Sequence, residues 1–536
     1  MNSRSPIVPA GMACLLAVAC GTGHTEPTTR PAALAPDCSA IQKMAWANTV
    51  IQSSTPIGHG VLTAGHVKMP AHCHVTGEIH PRIGVGGVRY SMGFELRLPV
   101  HWNGRFVFQG GGGVDGTLRA AVGELRTGVT PALSQGAAVV TSDMGHKGVN
   151  TADASFGLDP QARIDWGYNA LDKVTWLAKD LIGKFYGSAP RYAYFIGSSG
   201  GGRQGMILAQ RFPHHFDGIV SGAPILEQHL AQLGSMQMLR EFIAIAPKNS
   251  RGEPILSQSF SDADLQLIAA GVLRRCDALD GASDGLIENY PACNYSVAEL
   301  QCPGDKDVTC LTPQQVRAFD SVMAGPRNSA GVLLYPATPW ESIIGEPEWR
   351  LNNIGTSNTA VANSRKANNQ SIKYLFMTPP APNFDYFKFN MDIDPSSMTA
   401  SASFSAANST NYQGFKERKG KHLIYVGMGD SLVNPAGVNR WYRELVAANG
   451  GIEATQQFAR FFNVPGMGHT NTGRALDVFD PVTAIYDWVE KGQAPEQMMA
   501  TGASFPGRSR PICAYPKIAL YNGSGSVDDA ASFSCR

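Results

Sequence analysis

The sequence has almost no net charge: 44 lysines and arginines stand against 43 aspartates and glutamates in 536 residues, a formal +1. It contains neither a basic stripe nor an extended acidic tail, and its charged residues, 16% of the total, are dispersed. This excludes the electrostatic footprint of a nucleic-acid binder and leaves small molecules, uncharged or locally charged, as partners. No CxxC motif is present to support a zinc site. There is no internal repeat. The length exceeds that at which one core keeps growing, so a large domain with a substantial insertion, or two domains, is expected.

The apolar run in "MNSRSPIVPAGMACLLAVAC" is too short to cross a bilayer and follows a single arginine, so residues 1–20 read as a secretory signal. Its end, "LAVAC", resembles a lipoprotein cleavage box with Ala17 where leucine is usual, and a lipid on Cys20 is the only membrane attachment expected. Residues 21–36 form a Pro/Thr-rich tether. The protein is therefore expected to be exported: periplasmic, held at the outer membrane as a lipoprotein, or secreted. Eight cysteines lie beyond the leader, namely Cys38, Cys73, Cys276, Cys293, Cys302, Cys310, Cys513 and Cys535. An even number in an exported chain points to disulfides. Roughly a hundred connectivities are open, of which pairing between nearest neighbours is the simplest.

Further along, "FELRLPVHW", "RFVFQGGGG" and "GAAVVTSDMG" read as strands, "DWGYNALDKVTWLAKDLIGKFYG" as a helix and "RYAYFIG" as a strand, an order that implies parallel pairing. The stretch "YFIGSSGGGRQG" then places Gly197-Ser198-Ser199-Gly200-Gly201 in the G-x-S-x-G frame of a nucleophile elbow, with a helix behind it. Ser199 is in register. For Ser198 the first glycine position would hold Ile196, whose branched side chain would crowd the turn. From about Leu226 to Gln413 regular alternation stops, which marks 226–413 as an insertion, a lid, between the two parts of a catalytic domain, 37–225 and 414–536. Alternation resumes with "KGKHLIYVGMGD", ending at Asp430, and the last strand, "QQFARFFNVPGMGHTNTG", delivers His469.

A serine hydroxyl needs a base to take its proton and an acid to hold that base in the right tautomer. His469 and Asp430 fill these places, and the order Ser199, Asp430, His469 is that of α/β-hydrolases. Asp143 and Asp477 are rivals for the acid, but neither follows the penultimate strand. The oxyanion of ester cleavage must meet backbone N–H groups: Gly200 supplies one, and Gly112 in "QGGGGVDG" is the nominated second. In "CDALDGASDGLIENYPAC", Asp277, Asp280 and Asp284 with the carbonyls of Ala282 and Leu286 offer the hard oxygens that calcium takes, although the spacing is not that of an EF-hand.

On "GSSGGGRQG", "CDALDGASDG", "VPGMGH" and the closing "RPICAYPKIALYNGSGSVDDAASFSC", the chain resembles the tannases and feruloyl esterases, a family that includes mono(2-hydroxyethyl) terephthalate hydrolase. The resemblance runs from about Cys38 to the C-terminus. It implies an α/β-hydrolase core, a large lid inserted after the elbow strand, structural Ca2+ in that lid on Asp277, Asp280, Ala282, Asp284 and Leu286, and hydrolysis of feruloyl, galloyl or terephthalate monoesters, that is, a small aromatic ester as substrate. Trp340, Trp349, Tyr374 and Phe376 are candidate walls for the aromatic acid. One departure stands out: Ser198 and Thr470 occupy positions at which the family usually carries a cysteine pair. Two other functions fit parts of the pattern, a peptidase on the same fold and a calcium-dependent glycan-binding protein without catalysis.

Overall fold

The computed structural model describes residues 37–536 except 126, 359–363, 367–368 and 470. The leader, the tether, Cys20 and Thr470 thus lie outside the described residues. Among the described residues the central sheet has nine strands: β1 (Thr49–Ile57), β2 (His72–Ile83), β3 (Arg89–Pro99), β4 (Arg105–Gln109), β5 (Ala138–Ser142), β6 (Tyr192–Ser198), β7 (Gly218–Gly222), β8 (Lys421–Gly427) and β9 (Ala459–Val464). Their spatial order is β1-β2-β3-β5-β4-β6-β7-β8-β9. The pairs from β1 to β5 are antiparallel, and all those from β5 to β9 are parallel. β5 and β6 run parallel, as expected, but do not pair with each other: each pairs with β4, which lies between them.

Strand residues alternate between two faces, and both faces are covered. Phe106, Phe108, Phe195, Ile424 and Phe461 enter one apolar cluster; Val107, Tyr194, Ile196, Leu423 and Phe462 enter another. A strand buried on both sides has no polar face to show, which is why these segments read as continuous apolar runs. The helices Ala170–Tyr186, Gly200–Arg211, Pro435–Ala448 and Pro481–Lys491 match the helical readings, but strand 459–464 is not the last. Two ladders follow it, 497–501 with 509–513 and 519–521 with 533–535. Strands of three to five residues carry too little alternation to stand out from loops.

The described residues of 226–413 add no strand to the sheet and hold helices Gln228–Ile245, Asp262–Cys276, Pro313–Met323 and Pro347–Asn353. The cysteines pair as nearest neighbours: Cys38–Cys73, Cys276–Cys293, Cys302–Cys310 and Cys513–Cys535. Among the described residues no helix is long and apolar enough to cross a membrane.

Candidate active site

Ser199, Asp430 and His469 all follow C-terminal ends of parallel strands, where open α/β sheets gather their ligands. Ser199 sits between β6 and helix 200–211 with φ 62° and ψ −121°, a left-handed conformation rare for a residue with a side chain. Gly197 and Gly200 on either side of the turn leave no room for a side chain. A methyl on Gly197 would lie 2.6 Å from the Gly201 carbonyl oxygen, and one on Gly200 2.6 Å from that of Gly113. His469 Nε2 is 2.9 Å from Ser199 Oγ, and His469 Nδ1 is 2.8 Å from Asp430 Oδ2. The other oxygen of Asp430 accepts the N–H groups of Leu432 and Val433 at 2.9 and 2.8 Å. Asp430 and His469 are buried, while Ser199 is half-exposed.

The rival acids have other partners. Asp143 accepts the N–H groups of Gly93 and Gly145, and burial pushes its carboxyl up to about 7. Asp477 is tied to Asn471 through its backbone carbonyl.

Ser198, Ser199, His469 and Gly110–Gly113 line a cavity of about 1110 Å3. Gly112 faces this cavity, and Gly200, which follows Ser199, starts the helix whose N-terminus packs against the glycine loop. A device that the sequence reading missed holds that loop in place. Gln204 Oε1 accepts the Gly111 N–H at 3.1 Å, and its Nε2 donates to Asp115 Oδ2 at 2.9 Å. Burial pushes the Asp115 carboxyl up to about 7. Both residues stand inside the quoted motifs; the missing signal was that the two motifs meet.

The four aromatic residues named as substrate walls are not cavity-lining residues. Trp340 and Trp349 stack on Phe319 at 6.0 and 5.7 Å, Phe376 is fully buried, and Tyr374 lends its carbonyl to Arg163. Trp349 and Phe376 belong to the apolar cluster that also covers one face of the central sheet, and Trp340 and Tyr374 pack against it, aromatic area that is buried whatever the substrate. Among the described residues, the cations Arg119, Arg365 and Lys366 line the cavity instead, against the carboxylate Glu124.

In the acidic loop, Asp277 accepts the N–H groups of Asp284 and Gly285, and Asp280 Oδ1 accepts that of Ala282. Asp280 Oδ2 is buried without a hydrogen-bond partner. Burial, with Asp284 and Asp277 nearby, pushes the Asp280 carboxyl up to about 6, and burial pushes that of Glu288 up to about 8. Arg510 pairs with Asp284 at 2.5 Å. Leu286 packs into the same apolar cluster as Met467, so this loop, remote in sequence from His469, adjoins its neighbourhood in space. Elsewhere, Asp172, His214 and His215 bring donor atoms within 4.8 Å of one another. There His215 Nε2 bonds Asp172 at 2.8 Å, and burial pushes His215 down to about 4.

The model of the family described as tannase and feruloyl esterase matches residues 73–536. The mono(2-hydroxyethyl) terephthalate hydrolase of Piscinibacter sakaiensis is 38% identical, over 92% of this chain and 89% of its own length. A probable feruloyl esterase B-2 of Aspergillus flavus is 30% identical over 77% of each chain. The crystal structure of feruloyl esterase B from Aspergillus oryzae, at 24% identity, superposes with a TM-score of 0.76 over 93% of this chain and 99% of that one, which shows a shared fold. An α/β-hydrolase sheet and a match across most of the length agree: this chain belongs to the tannase and feruloyl esterase family.

Proposed function

We propose that the protein is a serine esterase that cleaves esters of aromatic carboxylic acids through an acyl-enzyme. The observation that carries the reading is the hydrogen-bonded chain Ser199–His469–Asp430 opening onto a cavity lined by a glycine loop. His469 Nε2 takes the proton from Ser199 Oγ as that oxygen adds to the ester carbonyl. The N–H groups of Gly200 and Gly112 meet the oxyanion. Collapse of the tetrahedral adduct breaks the bond to the alcohol oxygen, to which His469 returns the proton. Water then adds to the acyl-Ser199 carbonyl, giving up its proton to His469, and Ser199 leaves as the free hydroxyl with the acid. Asp430 holds the imidazole tautomer throughout.

The cavity's cations favour an acid that carries a free carboxylate, as a terephthalate monoester does, over neutral feruloyl or galloyl esters. Lys366 is pushed down to about 8 by burial and is still charged at neutral pH. Hydrolysis of mono(2-hydroxyethyl) terephthalate, methyl ferulate and methyl gallate, with the matching amides as controls, tests the reading. The first should be the preferred substrate and the amides should be inert; turnover of amides alone would point to a peptidase, and turnover of nothing to a binding protein. An insertion that covers the cavity as a lid, and export from the cytoplasm, belong to the same proposal.

Calcium is part of it too. The acidic loop fits a hard cation, because its carboxylates outnumber the basic partners that reach them and one buried oxygen, Asp280 Oδ2, lacks a donor. Asp277, Asp280 and Asp284 with the carbonyls of Ala282 and Leu286 would hold it. When bound, the ion supplies fixed positive charge that ties the loop together, and it takes no part in ester cleavage.

A further inference from the structure

Segment 341–352 of the insertion reaches both loops that carry the acid and the base. Ile343 fills the space in front of three glycines: a methyl on Gly429, Gly468 or Gly473 would come within 2.9, 2.5 and 2.8 Å of its side chain. Asn352 Nδ2 donates to Ser431 Oγ, beside Asp430, at 3.0 Å. Glu341 Oε1 accepts the Gly466 N–H at 3.1 Å. Glu348 Oε2 accepts the Thr472 hydroxyl, and that hydroxyl is also 3.0 Å from the His469 carbonyl oxygen. The Gly468 N–H closes the turn on the Thr472 carbonyl at 2.8 Å. A methyl on Gly468 would lie 2.4 Å from Glu348 Oε2, so the residue before the base is shaped to this carboxylate.

None of Glu341, Ile343, Glu348 and Asn352 is among the cavity-lining residues. Glu348 is half-buried, and no lysine or arginine pairs with it among the described residues. A carboxylate kept there without a cation is costly unless its hydrogen bonds are put to use. We propose that Glu348 is a positioning residue for the base: through Thr472, whose hydroxyl also reaches the His469 carbonyl, it holds His469 so that its Nε2 faces Ser199, within a brace that also includes Glu341, Ile343 and Asn352. Burial raises the Glu348 carboxyl above its ordinary range, with Asp430 adding to the rise and Thr472 and His469 opposing it. The brace makes the insertion part of the catalytic geometry.

The proposal rests on the serine-esterase reading, and its test separates the two. The full chain and its Glu348→Ala, Glu348→Gln and Thr472→Val variants are compared for the rate at which a fluorophosphonate modifies Ser199, for kcat and KM on an ester, and for melting temperature. Glu348→Ala should slow modification and kcat by about ten- to a hundredfold, the scale of a sub-ångström to ångström misplacement, with KM within about twofold. Glu348→Gln, whose amide oxygen still accepts from Thr472, should recover most of the rate. Thr472→Val, of equal shape, should be as slow as Glu348→Ala. Should Glu348→Ala fail to fold, the other two variants decide. Wild-type modification rates in Glu348→Ala or Thr472→Val, or a glutamine variant as slow as the alanine one, would overturn the proposal. Failure of the wild type itself to be modified at Ser199 would instead remove the esterase reading.

Discussion

The acidic loop at 277–286 and the base turn at 466–473 share an apolar cluster, yet they are held by different means. The first is bracketed by Cys276–Cys293 and gathers carboxylates whose charge exceeds its basic partners. A crosslink closing a loop of that size contributes about 3 kcal/mol in the chain-entropy picture. The base turn has no crosslink in the described residues; it is held by an internal N–H to carbonyl bond, by carboxylates reaching in from the insertion, and by glycines that let Ile343 approach. One loop is organised to be stable, the other to hold a geometry. Changes in the first should therefore move melting temperature, and changes in the second should move rate.

The largest separation is expected at the nucleophile. Ser199→Ala should lower kcat by about 10⁴-fold or more with the melting temperature unchanged, while Ser198→Ala should keep most activity. Steady-state kinetics beside a melting curve checks both, and a silent Ser199→Ala would break the comparison at once.

Next comes an attempt to give the base turn what the acidic loop has. Ser198 precedes the nucleophile and Thr470 follows the base, and their neighbours are hydrogen-bonded at 2.9 Å. Ser198→Cys with Thr470→Cys should form a bridge under oxidising conditions, worth up to roughly 5 kcal/mol for so long a loop. Thiol titration and the melting curve read this out; two free thiols would mean that the positions do not face each other.

A third pair sets one loop against the other. Gly468→Ala forces a methyl against Glu348 and Ile343 and should cost about a hundredfold in kcat. Chelation of calcium should lower the melting temperature, by about 2.7 kcal/mol of stability where the free ion had been a hundredfold above its Kd, with kcat at low temperature nearly unchanged. The reverse pattern would mean that the two loops act as one.

The smallest effect concerns buried acids away from the acidic loop. Asp115, Asp143 and Glu341 are raised by burial to about 7 from ordinary values of 3.8, 3.8 and 4.5. Below these raised values the folded protein binds more protons than the unfolded chain, so each group lowers stability as pH rises toward 7. His146, His229 and His422, pushed by burial from 6.5 to about 4, 4 and 3, act oppositely between about pH 4 and 6.5. Between about pH 6.5 and 7 the acids dominate, before Lys179 and Lys366, lowered by burial to about 8, begin to act oppositely, so the melting temperature should fall over that interval. Glu341→Gln should flatten part of that fall.

What could be read from the sequence shared one property: it was written locally. The elbow needs small residues on both sides of Ser199, so its frame is visible in five letters, and the acid and base each end an apolar run. The disulfides join near neighbours. The missed features are pairs that come together only when the chain folds: Gln204 with Asp115, separated by 89 residues, and Glu348 with Thr472, separated by 124. The aromatic residues of the insertion could be named only as candidate walls beside the core reading, because nothing local distinguishes a ring in a core from one on a cavity wall. The edge strand 49–57, with no clean alternation of burial, was likewise illegible.

The proposed cycle turns on a covalent acyl-enzyme at Ser199. Mixing the protein with a slowly hydrolysed aromatic ester, quenching in acid and fragmenting the peptide that contains residues 198 and 199 tests it directly. The expected result is a mass increase equal to the acyl group, located on Ser199 and lost in Ser199→Ala. An adduct on Ser198, or one retained in Ser199→Ala, would contradict it.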